Sequence, residues 1–294
     1  MIHYDFHEIN IIRKERDKII KTIKDFIRTE VKHRKSTGVI VGISGGIDSA
    51  VATCLAVRAL GPKRVFGLIM PDSSVTPKKD TIDAKNLAQQ LGIKYQIIEV
   101  GSIKKKCLSK KLPHGSKLAK ANLLVRLRMS MLYFYATAIN ALVLGTGDKS
   151  ELRLGYFTKY GDGAADLFPI ADLYKTKVRE LAQNLSLPRN IINKKSSARL
   201  WRGQTTEGEI GMSYEEIDYI LQELEKKHSK NYDNRNMNIE NISTITGIKK
   251  INKKKVKRLI DLIERNRHKH EMPPICKVFR TKKSVHDTVN ELQS

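Results

Sequence analysis

The stretch from Gly38 to Ser49, which reads GVIVGISGGIDS, constrains the fold of this chain more than any other. Its β-branched residues, Val39 to Ile43, have the composition of a buried strand. The run ends in Ser44-Gly45-Gly46, and the small apolar residues that follow are typical of a buried helix. Such a turn brings several backbone N–H groups and the positive end of a helix dipole to one place. The stretch therefore predicts a phosphate site, with an ordinary strand–turn–helix connection as the alternative.

The pattern of this loop excludes the two commonest phosphate-binding motifs. No Lys follows Gly46, so the Walker pattern is absent, and G-x-G-x-x-G is absent too. What stands here, S-G-G-x-D-S, resembles the pyrophosphate loop of the ATP pyrophosphatases. Those enzymes cut ATP between its α and β phosphates and adenylate a carbonyl oxygen, which a nitrogen or sulfur nucleophile then displaces. Ser44 and Ser49 add hydroxyl donors and Asp48 adds a carboxylate suited to a metal, but the loop alone leaves the substrate open.

Composition excludes several classes of protein. A chain of 294 residues with 40% hydrophobic and 29% charged residues is typical of a soluble globular protein. No apolar run approaches the roughly 20 residues of a membrane span, and the N-terminus lacks a signal-peptide pattern. Cys54, Cys107 and Cys276 are far apart, which predicts neither a zinc site nor a disulfide framework. We expect a cytoplasmic protein with no membrane partner.

The net charge of +24 raises the question of a nucleic-acid partner. The basic residues are spread along the chain in short clusters, and aromatic residues are not interleaved with them as a base-stacking platform requires. Solvated surface and a general attraction for anionic substrates account for such a charge. We therefore expect no specific nucleic-acid partner.

Strands alternate with helices in the first two thirds of the chain. The patterns predict a first helix at 8–33, strands at 39–43, 64–70, 94–100 and 141–144, and helices at 121–140 and 172–185. The basic, turn-rich residues 102–120 predict a mobile loop. This alternation favours an α/β fold with a parallel sheet flanked by helices, which is Rossmann-like, and the ligand should lie beyond the carboxyl ends of the strands.

The second half of the chain has a different character. Residues 161–166 are too poor in apolar side chains for a regular element and are interpreted as a functional loop. Ser213 and Glu216 have capping-box spacing, and residues 229–249 are interpreted as a surface insertion. We expect one domain over 1–294, divided as follows: N-terminal helix 8–33, α/β core 38–200, helical C-terminal part 201–275 and tail 276–294.

A series of further motifs points to the substrate. In chain order they are NLLVRLRM (122–129), GTGDKSE (145–151), GYFTKYGDGAAD (155–166), LYKT (173–176), SSA (196–198), GQT (203–205) and His268-Lys269. Together with the pyrophosphate loop they closely resemble ammonia-dependent NAD synthetase, over about residues 38–274. Several separate motifs in the same order make this resemblance far more specific than the loop alone.

The resemblance implies the adenine-nucleotide α-hydrolase fold and the formation of NAD from deamido-NAD, ATP and ammonia, with AMP and pyrophosphate released. The residues that match the family's ATP contacts are Gly42, Ile43, Ser44, Gly45, Gly46, Ile47, Asp48, Ser49, Thr146, Lys175 and Ser197. Those that match its deamido-NAD contacts are Arg126, Lys159, Asp166, His268 and Lys269. Asp48 and Glu151 are expected to hold Mg²⁺, a hard cation that prefers carboxylate and phosphate oxygens. Asp48, Glu151, Lys175 and Asp162 are the expected catalytic residues.

The implied reaction has two steps. The nicotinate carboxylate attacks the α-phosphorus of ATP, and ammonia then displaces AMP, so no side-chain nucleophile is required. Ammonium must first lose a proton, and we hypothesise that Asp162 or Asp166 accepts it. The chain has no room for a glutaminase domain, so we expect direct use of ammonia. Members of the family are homodimers, and the helix at 121–140 is expected to contribute to the contact.

Two alternatives remain, and two positions depart from the family pattern. The alternatives are a pyrophosphate-loop enzyme that acts on tRNA and a non-catalytic nucleotide-binding protein. The absence of a C-x-x-C pair counts against the first, and the presence of Asp48, Glu151 and Lys175 counts against the second. Val125 stands where the family usually has Ala, and Thr206 stands where it usually has an acidic residue.

Overall fold

The computed structural model describes residues 6–108, 115–201, 203–228 and 252–278. The predicted insertion at 229–249 and most of the tail lie outside these residues. In chain order the elements are α1 (Phe6–His33), β1 (Gly38–Gly42), α2 (Ile47–Leu60), β2 (Val65–Ile69), α3 (Lys78–Gln90), β3 (Lys94–Ile97), α4 (Val100–Cys107), α5 (Lys117–Ala138), β4 (Ala141–Leu144), α6 (Lys149–Leu154), α7 (Lys175–Asn184), α8 (Arg189–Ile192), α9 (Thr206–Ile210), α10 (Tyr214–His228) and α11 (Lys253–Asn266). Among the described helices, none combines the length and apolar character that a membrane crossing requires.

The four strands form one parallel sheet in the order β3-β2-β1-β4. β1 is central because nearly every side chain in it is apolar and buried, which only an inner strand of a covered sheet permits. In the register, Ile40 pairs with Phe66 of β2 on one side and with Val143 of β4 on the other. The carboxyl ends of parallel strands meet at one edge, so the loops after β1 and β4 are direct neighbours.

Helices cover both faces of the sheet. Alternate residues of β1 point to opposite faces, so Val39 and Val41 pack with α1, α2 and α7, whereas Ile40 packs with α4 and α5. Both layers are well buried: Leu55 of α2 and Val100 of α4 have no exposed surface. The predicted parallel α/β sheet is therefore confirmed.

The C-terminal helices form a third cluster beside the sheet. Tyr214 of α10 and Leu259 of α11 are fully buried there and pack against Leu154 of α6. The predicted capping box is confirmed: the Glu216 N–H donates to Ser213 Oγ at 3.3 Å, and the Ser213 N–H donates to Glu216 Oε2 at 3.2 Å. Because α6 follows the loop after β4, this cluster supports that loop from behind.

The prediction of a loop over residues 102–120 is wrong. α4 occupies Val100–Cys107, and α5 already begins at Lys117, while residues 109–114 lie outside the described part. The lysines that suggested a loop are the polar side of α4, and Lys104 forms an ion pair with the buried Asp72. Ser116 caps α5 by accepting a hydrogen bond from the Ala119 N–H at 3.1 Å.

Several boundaries also differ from the prediction: β2 and β3 are shorter than 64–70 and 94–100, α1 begins at Phe6, and α5 spans Lys117–Ala138 rather than 121–140. β1 spans Gly38–Gly42 rather than 39–43, although the Ile43 N–H still donates to the Leu68 carbonyl at 2.8 Å. The helix predicted from residue 172 begins only at Lys175. The residues before it form a turn, because the Leu173 carbonyl accepts the Lys149 N–H at 2.9 Å and is thereby tied to α6.

A pair of substitutions on α3 tests which side of that helix faces the core. Leu87 has no exposed surface, whereas Ile82, five residues earlier, is 54% exposed. We expect Leu87→Ala to lower the free energy of unfolding by about 2–5 kcal/mol through lost burial and a cavity. Ile82→Ala should change it by no more than about 0.5 kcal/mol. Chemical denaturation measures both, and equal losses would contradict this placement of α3.

Candidate active site

The pyrophosphate loop is held in a single shape by its own side chains. The Ser49 hydroxyl donates to the Gly46 carbonyl at 3.0 Å and accepts the Ser44 N–H at 3.2 Å. Gly45 has a φ of +75°, and a Cβ there would lie 2.2 Å from the Asp80 carbonyl oxygen, so glycine is required. Gly46 is the N-cap of α2 and has no side chain that could accept from the first turn of the helix. The first N–H groups of α2 therefore remain available to an anion.

The loop after β4 faces the pyrophosphate loop. Gly145 packs on Phe168, whose ring would lie 2.5 Å from an added Cβ. Asp148 has no exposed surface and caps α6, because its carboxylate accepts the Glu151 N–H at 2.8 Å. This cap fixes the first turn of α6 and with it the position of the Glu151 side chain.

A buried lysine joins the two loops. The Lys175 Nζ lies 2.7 Å from Asp48 Oδ2, 2.6 Å from Asp148 Oδ2 and 3.2 Å from Glu151 Oε1. Its side chain has no exposed surface. Three carboxylates therefore surround one ammonium group, and the cluster carries a formal excess of two negative charges. We refer to Lys175, Asp48, Asp148 and Glu151 as the lysine–carboxylate cluster.

Hydrogen bonds that involve α6 and α10 hold Lys175 in place. The Lys175 N–H donates to Ser150 Oγ at 2.9 Å, and the Ser150 hydroxyl donates to Asp218 of α10. The second oxygen of Asp218 accepts the Thr176 N–H at 2.9 Å. Asp218 is buried and so caps the start of α7 while it orients Ser150. The C-terminal helices thus determine where the lysine lies.

The cluster shifts the pKa values of its members. Burial raises the pKa of Asp148 to about 6, since the favourable Lys175 charge is partly offset by the carboxylate of Asp48. Burial likewise raises the pKa of Glu151 well above its ordinary value. For Lys175, burial acts to lower the pKa, but the three carboxylates outweigh it and hold the pKa well above its usual range.

The donor set of the cluster fits a hard divalent cation. One oxygen from each of Asp48, Asp148 and Glu151 lies within 4.8 Å of the others. Asp48 Oδ1 is buried and has no hydrogen-bond partner among the described residues. Carboxylate oxygens are the ligands that Mg²⁺ prefers, and a dication would balance the excess charge. The expected metal residues, Asp48 and Glu151, are thus brought together, with Asp148 as a third carboxylate.

A cavity of about 240 Å³ opens at the carboxyl ends of β1, β2 and β4, in front of this cluster. Of the residues expected to contact ATP, those in its wall are Gly42, Ile43, Ser44, Gly46, Ile47, Asp48, Ser49, Thr146 and Ser197. Gly45 and Lys175 lie directly behind the wall, in contact with residues that form it. The structure therefore gathers the expected ATP residues around one space.

Four of the five residues expected to contact deamido-NAD are basic. Lys159 Nζ donates to the carbonyls of His268 and, at 2.9 Å, Glu271, while Arg126 Nε donates to the Lys159 carbonyl at 3.2 Å. Lys269 Nζ donates to the Phe157 carbonyl at 2.8 Å. These four basic residues form one cluster outside the cavity wall, which we call the basic cluster (Arg126, Lys159, His268, Lys269).

Asp162 stands near the start of the functional loop (residues 161–166), and Asp166 stands at its end. Asp166 accepts the Val143 N–H at 2.7 Å and ties the loop to β4, and it is not among the cavity-wall residues. Asp162 is in the wall, where its carboxylate accepts the Thr158 N–H at 2.7 Å. Burial by surrounding protein raises the pKa of Asp162, although the residue still reaches solvent through the open cavity.

Sequence reasoning missed Asp148 and Asp218 as site residues. Asp148 carried a usable signal, because it stands three residues before Glu151 with N-cap spacing. Asp218 carried none, since a polar residue in an amphipathic helix is ordinary. Of the two departures from the family pattern, Val125 and Thr206 both lie in the cavity wall, and the Thr206 N–H donates to the Ser196 carbonyl at 3.0 Å.

The raised pKa of Asp148 predicts a pH dependence of stability in metal-free buffer. Its ordinary pKa is 3.8, so between about pH 4 and pH 6 the folded protein binds a proton that the unfolded chain releases. The free energy of unfolding therefore falls as pH rises through this window, by about 2–3 kcal/mol from this group. We expect Asp148→Asn to lose that fall, as measured by urea denaturation at pH 4.5 and 7. The control, Asp172→Asn at a 97% exposed side chain, should follow the wild type; equal slopes for all three would contradict the assignment.

Comparisons with known proteins agree with this geometry. The NAD synthase family profile matches residues 19–273. The NH(3)-dependent NAD(+) synthetase of Archaeoglobus fulgidus is 48% identical over 262 residues, which cover 89% of this chain and 97% of the relative. That of Hyperthermus butylicus is 44% identical, covering 87% and 89%.

Solved structures give the same result. An NMN synthetase from Francisella tularensis superposes with a TM-score of 0.76 at 32% identity, covering 89% of this chain and 98% of that one. The NH3-dependent NAD synthetase of Campylobacter jejuni gives 0.72 at 35% identity, covering 89% and 99%. The fold is that of the ATP pyrophosphatases, and the chain belongs to the NAD synthase family.

Proposed function

We propose that this chain is an ammonia-dependent NAD synthetase: it amidates deamido-NAD with ammonia at the expense of ATP and releases AMP and pyrophosphate. The observation that carries the proposal is the pairing of the pyrophosphate loop with the lysine–carboxylate cluster across one cavity. This pairing suits cleavage of ATP between its α and β phosphates. The similarity to curated NH(3)-dependent NAD(+) synthetases over most of their length supports the choice of substrate and of ammonia.

In this proposal the phosphates of ATP bind at the N-terminus of α2. The free N–H groups of its first turn and the Ser44 and Ser49 hydroxyls contact them, and Thr146 and Ser197 lie on the nucleotide side. Asp48 and Glu151 would hold Mg²⁺, with Asp148 as an additional carboxylate, and the metal would supply positive charge to the departing pyrophosphate. Lys175 orients the three carboxylates. A metal that took over part of their charge would leave its ammonium group a donor for an ATP phosphate.

The basic cluster is the proposed site for deamido-NAD, together with Asp166. The dinucleotide carries two phosphates and a carboxylate, so a group of four basic residues is chemically apt. Three of the four, Arg126, Lys159 and Lys269, now donate to backbone carbonyls. Each nevertheless retains unused N–H donors for phosphate oxygens.

The chemistry proceeds by two displacements. A nicotinate carboxylate oxygen attacks the α-phosphorus while the bond to the β-phosphate oxygen breaks, and its electron pair leaves with pyrophosphate. Ammonia nitrogen then attacks the acyl carbon, the bond from that carbon to the AMP oxygen breaks with its electron pair on AMP, and the nitrogen releases one further proton to solvent to give the amide. Asp162 accepts the proton that ammonium loses, because its carboxylate lies in the cavity wall while that of Asp166 is tied to β4. The residue is exposed at the cavity, where ammonium has access to its carboxylate.

We also propose that the chain forms one synthetase domain, active in the cytoplasm as a homodimer. The C-terminal end of α5 carries an exposed aromatic side chain, Phe134 at 66%, and Ile139, which follows the helix, is 41% exposed. We propose that this end of α5 contributes to the contact between the two protomers.

The direct test is an assay of purified protein for AMP and pyrophosphate. We expect both products only when ATP, Mg²⁺, deamido-NAD and ammonium are all present, with NAD formed in equal amount. Because the relatives are NH(3)-dependent NAD(+) synthetases, glutamine should not replace ammonium without a partner. Nicotinate mononucleotide is the comparison substrate, since an NMN synthetase is among the structural relatives. Preference for the mononucleotide, release driven by tRNA, or no release would each contradict the proposal.

Asp162→Asn tests the proton acceptor. We expect kcat to fall by about 10²-fold or more at pH 7, because ammonium then lacks a base, while the KM for ATP stays within about twofold. The pH dependence of kcat in the variant should lose the limb that belongs to this group. Steady-state kinetics between pH 6 and 9 measure both, with Asp172→Asn as the exposed control. Full activity across this range would make the role of Asp162 untenable.

Phe134→Asp tests the homodimer. A charge at this exposed aromatic position of α5 should oppose association, because burying it without a partner is costly. Sedimentation equilibrium should give about twice 33.4 kDa for the wild type and about 33.4 kDa for the variant at micromolar concentration. Ile82→Asp, on a helix that covers the opposite face of the sheet, should remain dimeric. A monomeric wild type would contradict the proposal.

A further inference from the structure

Three cationic residues lie within six positions in the wall of the cavity: Lys194, Lys195 and Arg199. They stand beside the pyrophosphate loop, because Lys194 Nζ donates to the Gly45 carbonyl at 2.7 Å. None of the three belongs to the residues expected from the family motifs. The hydrogen bonds of Lys194 and Arg199 show that these two residues are not equivalent.

Lys194 is fully engaged within the protein. Besides Gly45, its Nζ contacts Asp80 Oδ1 at 2.8 Å and Asp83 Oδ2 at 2.6 Å, and its side chain is only 13% exposed. An ammonium group has three N–H donors, and all three are used. Lys194 therefore braces the pyrophosphate loop against α3 and has no donor left for a ligand.

Arg199 is only partly engaged. Its Nε donates to Asp80 Oδ2 at 2.7 Å, and this is its one side-chain hydrogen bond among the described residues. A guanidinium group has five N–H donors, so four remain, and the side chain is 27% exposed in the cavity wall. Arg199 thus combines a fixed positive charge with donors in the fork geometry that suits phosphate.

The pairing of Asp80 permits Arg199 to change partners. Asp80 is buried and contacts both Lys194 and Arg199. Neighbouring Asp83 is paired with Lys194 and with Asn190 Nδ2 at 2.7 Å. If Arg199 turned to an anion in the cavity, Asp80 would keep Lys194, so no buried charge would be left without a partner.

The backbone at Arg199 is strained. Its φ is +52°, a left-handed conformation that costs a non-glycine residue about 1 kcal/mol or more. The Arg199 N–H donates to Ser197 Oγ at 3.1 Å, which helps to hold this conformation. Ser197 is itself one of the expected ATP contacts, so the strain lies at the ligand wall rather than in a distant turn.

We infer that Arg199 binds the β and γ phosphates of ATP and stabilises pyrophosphate as it leaves. The inference rests on the proposed function, which supplies that leaving group. When the bond between the α-phosphorus and the β-phosphate oxygen breaks, its electron pair and the developing negative charge go to pyrophosphate. Arg199 exchanges Asp80 for two phosphate oxygens, transfers no proton, and offsets that charge from the side of α3 while the lysine–carboxylate cluster faces it from the other side.

Titration of the full-length protein with inorganic pyrophosphate and Mg²⁺ tests the inference without turnover. Loss of a charge-assisted phosphate contact should weaken pyrophosphate binding at least about tenfold in Arg199→Ala. AMP binding should stay within about twofold, and Arg199→Lys should be intermediate. Arg189→Ala removes the same charge from an exposed position on α8 and should match the wild type. Unchanged pyrophosphate binding in Arg199→Ala, or an equal loss for AMP, would overturn the inference.

A double variant separates phosphate binding from a structural role as counter-ion of Asp80. If Arg199 only neutralised Asp80, the variant Asp80→Asn with Arg199→Ala would regain wild-type pyrophosphate affinity. We expect it to bind as weakly as Arg199→Ala alone, and regained affinity would overturn the inference. The proposed function is judged separately, by NAD formation in the wild type: a wild type that binds pyrophosphate through Arg199 but makes no NAD would defeat that function alone.

Discussion

The ammonium group of Lys175, surrounded by Asp48, Asp148 and Glu151, is the interaction on which the rest of the site depends. Within the described lysine–carboxylate cluster, this group stands at the start of α7 and contacts both loops of the cavity. It reaches the pyrophosphate loop through Asp48 and the loop after β4 through Asp148. Buried charges are tolerated only when they are paired, and removing one partner of such a pair typically costs about 3–5 kcal/mol. The lysine therefore holds together two loops that the chain sequence separates by about a hundred residues, and it keeps three carboxylates ready for a metal.

The order of the strands makes this interaction possible. β1 and β4 are neighbours although β2 and β3 lie between them in the chain, so the loops after them meet at one edge. The helices after the sheet then fix the lysine, because Asp218 of α10 orients Ser150 and caps α7. Tyr214 covers the cluster, with Lys175 Nζ 5.1 Å from the centre of its buried ring. The C-terminal helices are thus part of the site's construction although they contribute little to the cavity wall.

The accuracy of sequence-based prediction differed between elements for physical reasons. The parallel sheet and the glycine turn after β1 were recognisable because buried strands and glycine turns have distinctive local composition. Residues 102–120 were misassigned because the lysines of α4 resemble those of a loop, and only the buried Asp72–Lys104 pair reveals a packed helix. Arg199 had no signal in the sequence, since its partner Asp80 is more than a hundred residues away. Likewise, nothing local in the sequence separated Asp162, in the cavity wall, from Asp166, which is tied to β4.

The sequence by itself determined the kind of chemistry, because the pyrophosphate loop and the ordered motifs after it are local patterns that resemble those of one enzyme family. Only the tertiary structure decided how those residues share their charge. It placed Asp148 in the lysine–carboxylate cluster, made Lys175 the common partner of three carboxylates, and left Arg199 with unused donors. The reason is that electrostatic interactions depend on distance and burial, which residues far apart in the chain acquire only when the sheet and its helices are assembled.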